Sequence, residues 1–217
     1  VINSLSFADC NLDIGETLET LADANLKNLR FLNLSGNHGK TKISSDLELP
    51  EELVRLDVNN VTWNDGVFSS FISNIFKNKY KKGLNLYIED VHATQEDWEQ
   101  VQGILGKIDD YPLIELGWSG NMVNESLLSF LQKNKKLTTL FISRTFSNDS
   151  LQTFNEFVEI VNNLKSLKNL VIKGTEEKCL GESIYPLIKK LIDHPSLTLL
   201  DISNQKIQDE GSRELSN

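Results

Sequence analysis

LRFLNLSGN (residues 29–37) sets Leu29, Leu32, Leu34 and Asn37 in the pattern L-x-x-L-x-L-x-x-N. The same frame returns at Leu113, Leu116, Trp118, Asn121 and at Leu137, Leu140, Ile142, Thr145. It returns again at Leu167, Leu170, Ile172, Thr175 and at Leu197, Leu200, Ile202, Gln205. Looser copies start at Ile2, Leu53 and Gly83. The central leucines fall at 5, 32, 56, 86, 116, 140, 170 and 200, with gaps of 27, 24, 30, 30, 24, 30 and 30 residues. A unit this short cannot bury its apolar side alone, but units stacked against one another can.

Each frame predicts a short strand, because its apolar residues alternate with polar ones. The leucines then face a core, and the residues between them face the other side of a sheet. Eight such frames predict an α/β leucine-rich repeat solenoid. It is a right-handed horseshoe with a parallel sheet on the concave face, helices on the convex face and about eight repeats. Residues 1–217 form a single array, since stacked repeats contact their neighbours in sequence. The chain opens inside a repeat and stops a few residues into the eighth return. Ile2, Leu5 and Phe7 at one end and Leu215 at the other lack a covering layer, so the expectation is a piece of a longer protein, truncated at both ends.

The returns carry helical stripes. Phe68, Phe71, Ile72, Ile75 and Phe76 recur at i, i+3, i+4, i+7 and i+8 after the third frame, with Asn64 and Asp65 as expected caps. Trp98, Val101, Leu105 and Ile108 do the same after the fourth, and Thr94 with Asp97 resembles a capping box. Leu151, Phe154, Phe157, Val158, Val161 and Leu164 form the sixth stripe. Ile184, Leu187, Ile188 and Leu191 form the seventh, with Pro186 in the first turn. A short helix is expected around Glu125–Gln132. The second return, HGKTKISSDLELPEE, has no sustained helical period and predicts an irregular connection. Trp118 takes a leucine position and should be buried; Trp98 reads as core, and Trp63 as either core or surface. Val61, Val91, Thr145, Thr175 and Gln205 replace the frame's asparagine, which predicts less regular coiling.

Net charge is −9, which argues against a nucleic-acid groove. Glu48, Glu51 and Glu52, and Glu96, Asp97 and Glu99, are expected on the solvated convex surface. No run reaches the ~18–20 apolar residues of a membrane span, so no membrane contact is expected of these residues. Cys10 and Cys179 belong to frames six strand spacings apart, roughly 28 Å, too far for a disulfide. Free thiols suit a reducing compartment, so the expected localisation is cytoplasmic. The sequon at Asn33 lies within a strand and reads as chance.

No catalytic motif stands out. His38, His92 and His194 lie in separate connections without metal-ligand spacing, so neither a metal nor a cofactor is expected. Asp193–His194 reads as a helix end facing the C-terminal dipole. Non-catalytic binding of a protein partner is the expectation, and the concave face is the place to look. One row there is Ser4, Phe31, Arg55, Asn85, Glu115, Thr139, Asn169 and Leu199. The next is Ser6, Asn33, Asp57, Tyr87, Gly117, Phe141, Val171 and Asp201. The third is Ala8, Ser35, Asn59, Glu89, Ser119, Ser143, Lys173 and Ser203. Phe31, Arg55, Tyr87, Glu89, Phe141, Val171, Lys173 and Leu199 are the candidate contacts. Phe141, Val171 and Leu199 should join into an apolar patch, Phe31 and Tyr87 should serve as aromatic anchors, and Arg55 beside Asp57 should add local solubility.

Helical returns and the closing LDISNQKIQDEG, with Leu200, Ile202, Ile207 and Gly211, resemble repeats of the ribonuclease-inhibitor type. The succession of segments also resembles the leucine-rich region of the CARMIL family, linkers of actin capping protein and myosin-I. Residues 29–37 followed by an irregular connection carry that resemblance. So do residues 76–123, with the N-x-x-x-K-G-x-x-L opening, and residues 141–172 and 197–215. The resemblance implies a scaffold of the actin-rich cortex with a cytoskeletal partner. The alternative is an inhibitor or effector that wraps an unrelated protein in its concave arc.

Overall fold

The computed structural model describes residues 2–207, so the expectation for Leu215 lies outside the described residues. In chain order the elements are β1 (Ser4–Ser6), α1 (Ile14–Asp23), β2 (Phe31–Asn33), β3 (His38–Gly39), β4 (Arg55–Asp57), β5 (Thr62–Trp63), α2 (Val67–Lys77) and β6 (Leu84–Tyr87). They continue as α3 (Gln95–Leu105), β7 (Leu113–Gly117), α4 (Glu125–Lys133), β8 (Thr139–Phe141), α5 (Leu151–Asn163), β9 (Asn169–Val171), α6 (Tyr185–Leu191) and β10 (Leu199–Asp201). Eight strands form one parallel sheet in the order β1-β2-β4-β6-β7-β8-β9-β10. The chain is a leucine-rich repeat solenoid.

The register is set by the leucines. Leu5, Leu32, Leu56, Leu86, Leu116, Leu140, Leu170 and Leu200 pair across all eight strands as one rung. The six inner members are buried, and Leu5 and Leu200 at the two ends are half-buried. Burying such a side chain is worth about 1.5–3 kcal/mol. A one-residue slip would turn that whole row to water and bring polar neighbours inward. The fourth frame departs from its count. Leu84, not Gly83, pairs with Leu113, and the register shifts between Leu84 and Asn85. Gly83 sits at φ +80°, where a Cβ would come within 2.6 Å of the Pro112 carbonyl oxygen. It is a turn residue, and the leucine position is filled one residue later.

Helices fill six of the returns, and the second is irregular as its composition predicts. Its first residues form β3, which pairs with β5 in a separate two-stranded parallel sheet. Trp63 of β5 is buried, packed against Phe68 (5.5 Å between ring centroids) and Phe71 (5.0 Å). Trp98 stands edge-on to Phe68 (5.1 Å) and to Trp118 (5.8 Å). All three tryptophans are therefore core.

The caps differ from expectation in an informative way. Gly66, at φ +71°, precedes α2, and neither Asn64 nor Asp65 caps it. The cap comes from the next repeat: Asp97 Oδ2 accepts the Gly66 N–H (2.8 Å) and Oδ1 accepts the Ser69 N–H (2.9 Å). Thr94 caps α3 by accepting from the Asp97 N–H (3.3 Å), so only half of the expected capping box forms. Asp97 is 1% exposed, not a solvated surface acid. Its carboxylate meets the positive end of α2, where orphan N–H groups and the helix dipole favour an anion.

Side-chain amides tie turns together at three points. Asn37 Oδ1 accepts from the Leu12 N–H (2.9 Å), and its Nδ2 donates to the Phe7 carbonyl (2.8 Å). Asn121 bridges the Val91 N–H (2.9 Å) and the Ile88 carbonyl (2.5 Å) in the same manner. Gln205 does likewise with the Leu180 N–H (2.8 Å) and the Ile172 carbonyl (2.7 Å). Glutamine therefore retains the bridge that its replacement of asparagine was expected to weaken. Val61 keeps none of this and is core.

Asp97→Ala should lower stability by about 2–3 kcal/mol, since the buried Ser69 N–H and the half-buried Gly66 N–H lose their acceptor at once. Thr94→Ala should cost about 1 kcal/mol. Urea unfolding followed by circular dichroism checks both, and equal costs would contradict the cross-repeat cap.

Candidate protein-binding face

Strand pairing places the first two concave rows as the frames dictate. Ser4, Phe31, Arg55, Asn85, Glu115, Thr139, Asn169 and Leu199 are consecutive partners. So are Ser6, Asn33, Asp57, Tyr87, Gly117, Phe141, Val171 and Asp201.

The centre of the face is a connected cluster. Arg55 Nε donates to both carboxylate oxygens of Asp57 (2.9 and 3.1 Å), and its guanidinium carbon lies 4.2 Å from the centroid of the Tyr87 ring. The Tyr87 hydroxyl donates to the Glu115 carboxylate. Beyond Gly117, the Tyr87 ring reaches Phe141, with centroids 5.7 Å apart. A Cβ on Gly117 would come within 2.6 Å of Tyr87 Cδ1 and 2.7 Å of Glu89 Oε1. Glycine is required there by close approach, not by backbone conformation.

These contacts correct two expectations. Tyr87 is 8% exposed, so it is a buried support and not a projecting anchor. Arg55 does more than confer solubility, since its cation lies over that ring while bound to Asp57. Burial alone would lower the Arg55 pKa; the bond to Asp57, with Tyr87 and Glu115 nearby, holds it above the ordinary value. Glu89 is half-buried, and burial first, then Asp90, pushes its carboxyl up against the opposing pull of Arg144.

The third row is structural as much as presentational. The Asn59 N–H donates to Ser35 Oγ (3.1 Å), and the Glu89 N–H to Asn59 Oδ1 (2.8 Å). The Ser143 N–H donates to Ser119 Oγ (3.2 Å), and the Lys173 N–H to Ser143 Oγ (2.9 Å). These side chains replace strand hydrogen bonds where the ladder runs out. The Lys173 ammonium pairs with Asp201 (3.0 Å). A hydroxyl bond from Ser203 and this pairing keep Asp201 below its usual carboxylate range.

Phe141 and Val171 are direct neighbours and half-buried. Leu199 is one row away: Asn169 faces it, and Val171 is diagonal to it, at ~7–8 Å for such positions. Phe31 and Leu199 are each 45% exposed and stand six strand steps apart, about 29 Å. The face thus has exposed apolar ends and a braced ionic and aromatic centre. Asp57, Glu115 and Gly117 are part of that centre and were not among the candidate contacts. Their shared rows with Arg55 and Tyr87 were the available signal. Arg144 is a further omission; its Nη2 pairs with Asp90 at 2.5 Å across two repeats.

The histidines remain apart. His38 Nε2 meets Asn11 Oδ1 (2.9 Å). His194 accepts the Leu197 N–H at Nδ1 (3.2 Å), so it closes the turn after α6 as a neutral ring. Burial, with Lys165 nearby, lowers its pKa, the opposite of the cation expected at a helix dipole's negative end. Among the described residues, no group of three or more His, Cys, Asp or Glu is placed to hold a metal. No helix among them is long and apolar enough to cross a membrane. Cys10 and Cys179 are free thiols.

No protein-family model matches the chain, and no curated protein matches it. Among solved structures it is similar to an internalin of Listeria monocytogenes, at 17% identity and a TM-score of 0.41. The match covers 99% of this chain and 56% of the internalin, so the chain spans little more than half of that protein's length.

Burial, first, holds the Tyr80, Tyr87 and Tyr111 hydroxyls above the ordinary tyrosine value of about 10, reinforced at Tyr87 by Glu115. The folded chain therefore keeps protons that the unfolded chain releases, and stability falls as pH rises above about 10. Tyrosinate absorbance should lag in the folded chain and appear on unfolding in urea at the same alkaline pH. Gly117→Ala should cost about 1–3 kcal/mol through overpacking and displace the Tyr87 ring. Urea unfolding and the Tyr87 ring proton shifts check this; an unmoved ring would contradict the close approach.

Proposed function

We propose that this chain is a non-catalytic protein-binding scaffold. It is the leucine-rich repeat region of a CARMIL-like regulator of the actin cytoskeleton, working in the cytoplasm at the cell cortex. One observation carries the binding role: a continuous parallel sheet face with exposed Phe31 and Leu199 flanking the braced Arg55–Tyr87–Phe141 centre. Interfaces favour such a combination, in which aromatic and arginine side chains are already held in place before contact. Helices in the returns support the ribonuclease-inhibitor type of repeat. The order and spacing of segments support the cytoskeletal assignment, including the helix-free second return and the N-x-x-x-K-G-x-x-L opening of the fourth repeat.

A second assignment is an inhibitor or effector that encloses one unrelated protein. The separation of Phe31 from Leu199 along one row favours it, because a target seated on both would span most of the sheet.

Affinity capture with the full-length protein tests the choice. Recovery of capping protein or myosin-I is the expected result; recovery of neither removes the cytoskeletal assignment and leaves the fold intact. Phe31→Asp and Leu199→Asp should each weaken binding of the recovered protein at least tenfold, about 1.4 kcal/mol, with little change in Tm. Unchanged affinity in both variants would show that the concave row is not the contact.

A further inference from the structure

Six of the seven returns lying within the described residues carry a helix, and the second, residues 40–53, does not. Elsewhere the helices pack side by side, α2 on α3, α3 on α4, α4 on α5 and α5 on α6. The second return is instead drawn against α2. Asn74 Nδ2 donates to the Ser44 and Leu47 carbonyls (3.0 Å each). Asn78 Oδ1 accepts the Leu49 N–H (2.9 Å), and its Nδ2 donates to the Leu47 carbonyl (3.2 Å). Pinned on that side, the return leaves a groove of about 770 Å³ along the C-terminal half of α1. That volume lies within the range of ligand sites, ~300–1,000 Å³.

The groove has an apolar floor and an acidic rim. Leu21, Leu26, Leu47 and Pro50 line the floor, with Leu26 and Leu47 half-buried and accessible. Glu19, Asp23, Asp46 and Glu48 stand on the rim, all exposed. Its two lysines do not offset them. Lys81 is held by Glu51 (3.2 Å) and Glu52 (3.1 Å), which are also groove residues, and Lys27 alone is left. Among the described residues Glu19, Asp23 and Glu48 form no ion pair. No lining residue belongs to the concave rows, so this surface is separate from the proposed binding face.

We propose that the groove docks a basic amphipathic helix of a partner protein. Its apolar side seats on Leu26 and Leu47 and occupies the place in the convex layer that the second return leaves without a helix. Its lysines and arginines lie against Glu19, Asp23 and Glu48. A helix is ~10–12 Å across with its side chains, and one apolar stripe flanked by cations matches both floor and rim.

The probe is a synthetic peptide of about 14 residues, long enough to approach helix formation, with leucines on one face and lysines on the others. A scrambled peptide of the same composition is its control. Fluorescence anisotropy should show the amphipathic peptide binding at least tenfold more tightly than the scrambled one. Amide shifts on binding should map to residues 19–27 and 44–52. The double variant Asp23→Lys with Glu48→Lys should weaken binding at least tenfold. Glu99→Lys with Glu156→Lys, which changes net charge equally on distant exposed helix positions, should not. Leu47→Ser should weaken binding at both low and high salt. Equal affinity for the scrambled peptide, or a Leu47→Ser variant binding as the parent does, would reduce the groove to a nonspecific acidic surface and overturn the proposal. Full displacement by spermine with no shift at the floor residues would do the same. Self-association through this groove in sedimentation equilibrium would assign it to a second copy of the chain and also overturn it.

Discussion

Every other feature of the molecule depends on one row of side chains. Leu5, Leu32, Leu56, Leu86, Leu116, Leu140, Leu170 and Leu200 share a rung, and the strands are parallel and in register because that rung must be dry. A strand's side chains alternate, so burying this row forces its neighbours onto the opposite face. Core and binding face are thus two consequences of a single register. The helices follow as well: six of the seven returns among the described residues carry a helix with an apolar stripe, because the far side of the rung has to be covered.

Polar groups then make the stack specific. Asn37, Asn121 and Gln205 each spend both ends of an amide on backbone groups of the preceding repeat. Asp97 reaches the N-terminus of the preceding helix. Such contacts act between neighbours, so order is passed from one repeat to the next. Where the second return lacks a helix, Asn74 and Asn78 of α2 supply its backbone with partners. Irregularity there opens space without leaving a frayed loop.

Residue by residue, the concave rows were legible because pairing follows the leucines. What could not be read was which members lean on each other. Tyr87 and Phe141 are two strands apart, and they touch because Gly117 between them has no side chain. Arg55 could have pointed to solvent; with Asp57 beside it and the Tyr87 ring within reach, it lies down on the face. Asp97 sits in a run with Glu96 and Glu99 and looks like solvated charge, yet a helix end 31 residues earlier claims it.

Sequence alone determined the repeat, the number of rungs, the direction of the strands, the helix-free second return and the composition of the concave rows. These are periodic properties, decided by spacing within one segment. Tertiary structure decided the Leu84 register shift, the β3–β5 sheet, the cross-repeat cap by Asp97, the brace under Arg55 and the acidic groove beside α1. Each of those joins residues 24 or more positions apart, and their distances depend on how whole turns settle against one another, which no local pattern encodes.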